Sequence, residues 1–199
     1  KYEEEMKVRN DNDNILTDEV NDEDPIDQRI RIVEFAKKVN NEVATELLDK
    51  MRNINPYFFE KLVIDLLDTM GYVGPNGNAI VTSKSNDGGI DGIINQDPLG
   101  TNTVYVQAKR YKEDNIIQRP DIQSFYGALA GFNADRGVFI TTSRFSNSAI
   151  EYAMRQGIVL VDGIQLTDMM LKYKVGVQTH KKIELLKIDE DYFEDNNLY

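Results

Sequence analysis

The chain contains no cysteine and a single histidine, His180, among its 199 residues. Without thiols it has no disulfides, no zinc ribbon and no cysteine nucleophile, and it suits a reducing, cytoplasmic setting. One histidine leaves almost nothing for chemistry built on paired imidazoles or on a Ser-His-Asp arrangement; His180 reads as a solvated loop or strand residue. No apolar run approaches the length needed to cross a membrane. The first ten residues, KYEEEMKVRN, lack the apolar core of a signal peptide and an initiating methionine, so an excised fragment is expected. At this length, with 41% hydrophobic residues, one domain with extensions is expected.

Basic residues are outnumbered, 23 against 34 acids, for a net charge of −11. The imbalance lies at the ends. Residues 1–24 hold 10 acids and 3 bases, and residues 184–199 hold 6 acids and 1 base, which leaves 25–183 at +1. The division expected is an acidic, flexible segment at 1–24, a linking helix at 25–54, a core domain at 55–188 and an acidic tail at 189–199.

Asp24-Pro25 signals a helix start, and Ile30, Val33, Lys37, Asn40, Ala44, Leu47, Leu48 and Met51 keep an imperfect helical spacing to about Asn53. That helix either packs on the core or leads in from upstream. Asn55-Pro56 opens a second helix, in which Phe59, Leu62, Val63, Leu66, Leu67 and Met70 form an amphipathic stripe closed by Gly71. Glu60, seven residues before Leu67, lies about 20° from it around the helix, on the flank of the stripe. Strands are expected at 79–84, 90–95 and 103–110, separated by Gly/Asn/Asp-rich turns. A helix from Arg119-Pro120-Asp121 carries Gly127, Ala128, Ala130 and Gly131, small residues expected to let it sit close on the sheet. Gly137–Thr142 reads as a central strand and Ser146 as the N-cap of a helix to Gln156. A strand at Ile158–Asp162, a helix at 163–174 and a last strand at Ile183–Ile188 complete the chain.

The stretch that breaks its own pattern is 87–109. Asp91 stands between two glycines at the edge of a short strand, and fifteen residues separate it from Gln107 and Lys109. Along a strand Tyr105, Gln107 and Lys109 share one face and Val104, Val106 and Ala108 the other. An apolar strand that presents an amide and an ammonium suggests a site. A carboxylate, a carbonyl oxygen and a lysine suit a hard cation such as Mg²⁺ and the hydrolysis of a phosphodiester. Lys109 would act as a base or as an electrostatic stabiliser. The glycines around Asp91 lack the spacing of a dinucleotide-binding loop.

Asp91, then Gln107-x-Lys109, resembles the QxK variant of the PD-(D/E)xK nuclease signature. The surrounding words, FFEKLV (58–63), LLDTMGY (66–72), DGGIDG (87–92), VQAKR (106–110), GVFITTS (137–143) and LVDG (160–163), are similar to the catalytic domain of Mrr-type restriction endonucleases. The likeness runs from about Asn55 to the C-terminus. It implies a restriction-endonuclease-like α/β sandwich with a mixed central sheet flanked by helices. It also implies a Mg²⁺-dependent DNA endonuclease (Mn²⁺ as substitute), of the type IV class that cuts methylated foreign DNA in cellular defence. Asp91, Gln107 and Lys109 would be catalytic, with Glu60 joining Asp91 and Gln107 at the metal, directly or through water. Arg110, Lys112, Gln123, Ser143 and Arg144 are candidate DNA contacts. Double-stranded DNA is the expected partner, cut by a homodimer or higher oligomer. An upstream winged-helix DNA-reading module, which Mrr-like proteins carry, is absent from this sequence. Two alternatives remain: a junction resolvase or defence-system effector of the same superfamily, and a non-catalytic DNA-binding or assembly module that keeps the fold.

Overall fold

The structure is a computed structural model that describes residues 25–82, 89–134 and 136–194. It divides into two compact units, Lys1–Val43 and Ala44–Tyr199. Helix α1 (Pro25–Asn53) begins in the first unit and ends in the second. Within the first, Ile30, Val33 and Phe35 are exposed; within the second, Leu47, Leu48 and Met51 are buried.

The second unit continues with α2 (Pro56–Thr69), β1 (Asn78–Val81), β2 (Gly92–Asn95), β3 (Thr103–Lys109), α3 (Arg119–Gly131), β4 (Gly137–Thr141), α4 (Asn147–Gln156), β5 (Ile158–Val161), α5 (Gly163–Tyr173) and α6 (Glu190–Glu194). The five strands form one sheet in the order β1-β2-β3-β4-β5. The first two pairings are antiparallel and the last two parallel. The mixture follows from the connections. The seven residues 96–102 join β2 to antiparallel β3, whereas α3 and α4 carry the chain across to parallel neighbours.

Each face of the sheet has its own core, as expected of an α/β sandwich. On one, Val104, Val106 and Ala108 of β3 meet Phe59, Val63, Leu66 and Leu67 of α2, Leu166 and Met170 of α5, and the end of α1. On the other, Phe139 of β4 packs with Ile122, Phe125 and Leu129 of α3 and Ala149 and Ala153 of α4. Every residue of β4 is buried, the signature of a central strand covered on both sides. The alternation read on β3 holds, with Tyr105 against the second core.

The helix ends follow their capping chemistry. Asn55 accepts the N–H of Tyr57 at the start of α2, Ser146 caps α4 through the N–H of Ala149, and Asp162 caps α5 through Ile164 and Gln165. Gly71, at φ +87°, follows the end of α2 as a left-handed cap.

Two expectations are corrected. Residues 183–188 form no strand: Ile183, Leu185, Leu186 and Ile188 are exposed and pair with no neighbour among the described residues. An apolar run becomes a strand only where a sheet edge accepts it, and β5 is left unpaired on that side. Of the small residues of α3 only Ala128 packs against the core; Ala130 is exposed and nothing lies within 4 Å of a Cβ built at Gly127 or Gly131. The close approach comes from the strand instead. A Cβ at Gly137 would meet Leu129 Cδ1 at 2.5 Å and Phe125 Cε1 at 2.9 Å. The Asp24 cap and residues 83–84 of the first expected strand lie outside the described residues, as do 1–24 and 195–199. Within the acidic tail, Glu190–Glu194 is a short helix.

Candidate active site

The site forms where β3 reaches its C-terminal end, between β2 and the start of α3. Asp91 precedes β2. Its N–H donates to Val106 O at 2.8 Å, although Val106 is already the ladder partner of Gly92. Two residues of one strand therefore meet one of the other, which is a β-bulge. Its consequence is visible in the packing: Ile90 lies with Ile93 in the second core, while Ile94 lies in the first. The bulge also re-aims Asp91, whose Oδ2 accepts the N–H of Ala108 at 2.8 Å. The carboxylate is thereby fixed against the Gln107–Ala108 peptide, and Thr82 N–H holds the carbonyl of Asp91 at 3.1 Å from the far side.

Gln107 is the only residue of β3 whose side chain is both polar and buried, at 8% exposure. Its Oε1 has no hydrogen-bond partner. A buried, unsatisfied amide oxygen costs about 1–3 kcal/mol, which makes Gln107 a candidate ligand-binding position. Room for the amide comes from Gly89, at φ +97°, where a Cβ would stand 2.9 Å from Gln107 Nε2. A side chain there would both strain the backbone and displace the amide.

Lys109 is the last residue of β3, paired in register with Thr141 of β4. Its Nζ lies 3.0 Å from Asp121 Oδ1, and the two side chains are 27% and 26% exposed. The ammonium also stands 5.7 Å from the ring centroid of Tyr111. Burial by itself lowers the lysine pKa, but the hydrogen bond and charge of Asp121, with Tyr111, outweigh it and hold the group above its ordinary value. Lys109 is an ammonium here, with donors and no lone pair.

Glu60 lies half-buried in the first turns of α2, one turn before Ile64. A Cβ at Gly92 would meet Ile64 Cδ1 at 2.3 Å, so this helix rests directly on the residue after Asp91. Among the described residues no three acidic or histidine side chains gather as a metal cluster. The Asp91 carboxylate is held at the N–H of Ala108, the residue after Gln107, whose amide supplies a second oxygen. A magnesium ion, which accepts neutral oxygens and keeps several waters, fits that donor set and would satisfy Gln107 Oε1.

The expected DNA contacts separate into two groups. Lys112, Gln123 and Arg144 are exposed. Arg110 instead turns inward, its Nη1 donating to the carbonyl of Arg52 at the end of α1, and Ser143 is buried with its hydroxyl on Glu113 O at 3.3 Å. Arg52, which also bonds Glu113 at 3.0 Å and Thr142 O at 3.3 Å, helps fasten the loop after β3. Neither Arg52 nor Asp121 stood out in the sequence as a site residue. The one signal for Asp121 was the helix start Arg119-Pro120-Asp121, which says where it caps and not what it touches.

A restriction endonuclease family model, Mrr_cat, matches residues 51–170, a span that holds Glu60, Asp91, Gln107, Lys109 and Asp121. The chain belongs to this family. Its sequence is 44% identical over 165 residues to the type IV methyl-directed restriction enzyme EcoKMrr of Escherichia coli K12, covering 82% of this chain and 53% of that protein. The chain thus spans about half the length of the curated relative it matches. Among solved structures, the DNA modification-dependent restriction endonuclease AspBHI superposes with a TM-score of 0.53 at 18% identity, over 69% of this chain and 36% of that one. That likeness concerns the fold, which in this chain is a mixed five-stranded sheet with flanking helices. Among the described residues no helix is long and apolar enough to cross a membrane.

Proposed function

We propose that this Mrr_cat domain is the cleaving part of a metal-dependent endonuclease that hydrolyses phosphodiester bonds in methylated double-stranded DNA. The observation that carries the reading is the buried, unpartnered oxygen Oε1 of Gln107, one residue before the Ala108 whose N–H fixes the Asp91 carboxylate and two before the charged Lys109. The methyl-directed activity in the relative's name supports the choice of substrate.

In this reading Asp91 and Gln107 hold Mg²⁺, or Mn²⁺ in its place, and Glu60 joins them directly or through a water. The ion would supply charge stabilisation at the phosphate and a more acidic bound water. The chain's own contribution follows from its geometry. The bulge and the Ala108 N–H keep Asp91 from rotating, so its charge is preorganised. The Lys109 ammonium donates hydrogen bonds to the scissile phosphate or the attacking water and offsets the negative charge that grows in the transition state. Its contact with Asp121 suits the stabilising and orienting role. Lys112, Gln123 and Arg144 face outward and suit contacts to the DNA. Each site cuts one strand, so duplex cleavage calls for a homodimer or higher oligomer. Target reading would fall to an upstream winged-helix module, in an enzyme acting in the cytoplasm.

Cleavage of methylated and unmethylated plasmid with Mg²⁺ or Mn²⁺ tests this, with Asp91→Ala and Lys109→Ala beside the wild type. Metal-dependent cutting lost in both variants is expected. A variant that cuts at the full rate while remaining folded would remove its residue from the site.

A further inference from the structure

The second partner of Lys109 is unaccounted for by cleavage chemistry. Asp121 is twelve residues further along the chain, on a different element, and its two oxygens have separate tasks. Oδ2 accepts the N–H of Gln118 at 2.9 Å, closing the capping box that starts α3. Oδ1 accepts from Lys109 Nζ at 3.0 Å. A cap needs only the first of these contacts. Stability is a weak reason for the second, because ion pairs with this much solvent access contribute little and immobilise a long side chain.

We propose that Asp121 is a positioning residue for the phosphate-cleaving lysine, fixing from the start of α3 where the Lys109 ammonium sits. The inference rests on the nuclease reading above. Three observations make the holder rigid. Asp121 is bonded to the turn at Gln118, so its carboxylate is not free to follow the lysine. Its neighbour Ile122 is fully buried in the core between α3 and the sheet, which anchors that turn against β4. The ammonium also stands 5.7 Å from the ring centroid of Tyr111, whose backbone N–H and C=O are both held by the Thr142 hydroxyl, at 2.8 and 2.6 Å. A lysine has four rotatable bonds and reaches many places from its Cα; carboxylate and ring reduce these to one. An ammonium has three N–H donors, and the bond to Asp121 uses one. Two remain for a phosphate oxygen and a water, so the holder does not have to release when substrate arrives.

The test is single-turnover and steady-state cleavage of one methylated duplex by the full chain, with thermal melting of each variant. Asp121→Asn keeps an oxygen for the Gln118 N–H and removes the charge. It is expected to melt near the wild type, keep KM for DNA, and lose roughly 10- to 100-fold in kcat, the scale of a misplaced reacting group. Asp121→Glu, which retains charge and suits the same position of a capping box, is expected to recover most of that loss. In a Lys109→Arg background the same Asp121→Asn change should cost little, because the group it positions is gone. A wild-type kcat in Asp121→Asn, or a loss just as large beside Lys109→Arg, overturns the proposal. So does a loss confined to KM or to the melting temperature. Asp91→Ala separates the two readings. If the wild type does not cut, or Asp91→Ala cuts equally well, the nuclease reading fails and the positioning role with it. If Asp91→Ala is dead and Asp121→Asn is normal, only the positioning role fails.

Discussion

The hairpin of β2 and β3 has an aspartate at each end, and the two are used in opposite ways. At the turn, Asp97 accepts from the N–H of Leu99 at 2.9 Å, Thr101 at 3.2 Å and Asn102 at 2.7 Å, and from the Thr101 hydroxyl at 2.9 Å. Its oxygens are spent on residues within five positions of itself. At the open end, Asp91 sits on a bulge and reaches across to Ala108, beside a buried amide oxygen with nothing to bind. The first arrangement closes a turn. The second leaves a buried polar atom without a partner, and that is the physical difference between the two ends.

Replacing each aspartate by asparagine should separate the two ends most sharply. Asp91→Asn is expected to lower the cleavage rate by roughly 10²-fold or more, because it removes the fixed charge at the site. Asp97→Asn should leave the rate per folded molecule unchanged. A plasmid-nicking time course reads both, and equal losses would end the distinction.

Gln107→Leu comes next, since it deletes the waiting oxygen at nearly constant volume. Activity and metal-dependent stabilisation should fall by roughly tenfold or more. Stability without metal should hold or rise by about 1 kcal/mol, as an unsatisfied buried group disappears. Denaturant melts with and without Mg²⁺ measure this; a large destabilisation would mean that the amide supports the fold and not a ligand.

Gly89→Ala tests the same end from outside. The new Cβ would press on Gln107 Nε2 at 2.9 Å in a backbone conformation that disfavours side chains. A loss of about 1 kcal/mol or more in stability and a lower rate are expected together. Full activity in a destabilised variant would show that the amide can move without consequence.

The smallest effect belongs to Asp97 and pH. Burial alone would raise its pKa, but the hydrogen bonds from Thr101, Asn102 and Leu99 outweigh it and hold the carboxyl below its ordinary 3.8. A depressed carboxyl stabilises the fold above the unfolded value and loses that contribution as pH falls through the folded one. The melting-temperature gap between wild type and Asp97→Asn should therefore be widest above pH 3.8 and shrink below it. A gap independent of acid would assign the turn's stability to its backbone alone.

Much of this contrast is legible in the chain itself. The caps at Asn55, Ser146 and Asp162, the stripe of α2 and the two-faced β3 rest on neighbours within a few residues, where spacing suffices. The Asp91, Gln107 and Lys109 set is also visible, because a polar pair on an apolar strand contradicts its surroundings. What spacing leaves out involves distant partners. Arg110 resembles any other base near a site until the Arg52 carbonyl is seen to hold it. The run at 183–188 has strand-like composition but pairs with no described strand, and Gly127 and Gly131 of α3 meet open space while Gly137 makes the close contact.

The sequence by itself determined the elements from α2 to α5, the polarity of β3 and which side chains break pattern, since those depend on local propensity and periodicity. Tertiary structure alone decided that β2 bulges at Asp91, that the Gln107 oxygen is buried without a partner, and that Lys109 meets Asp121. Each of these joins groups on separate elements, and their distances are set by how two cores close on opposite faces of one sheet.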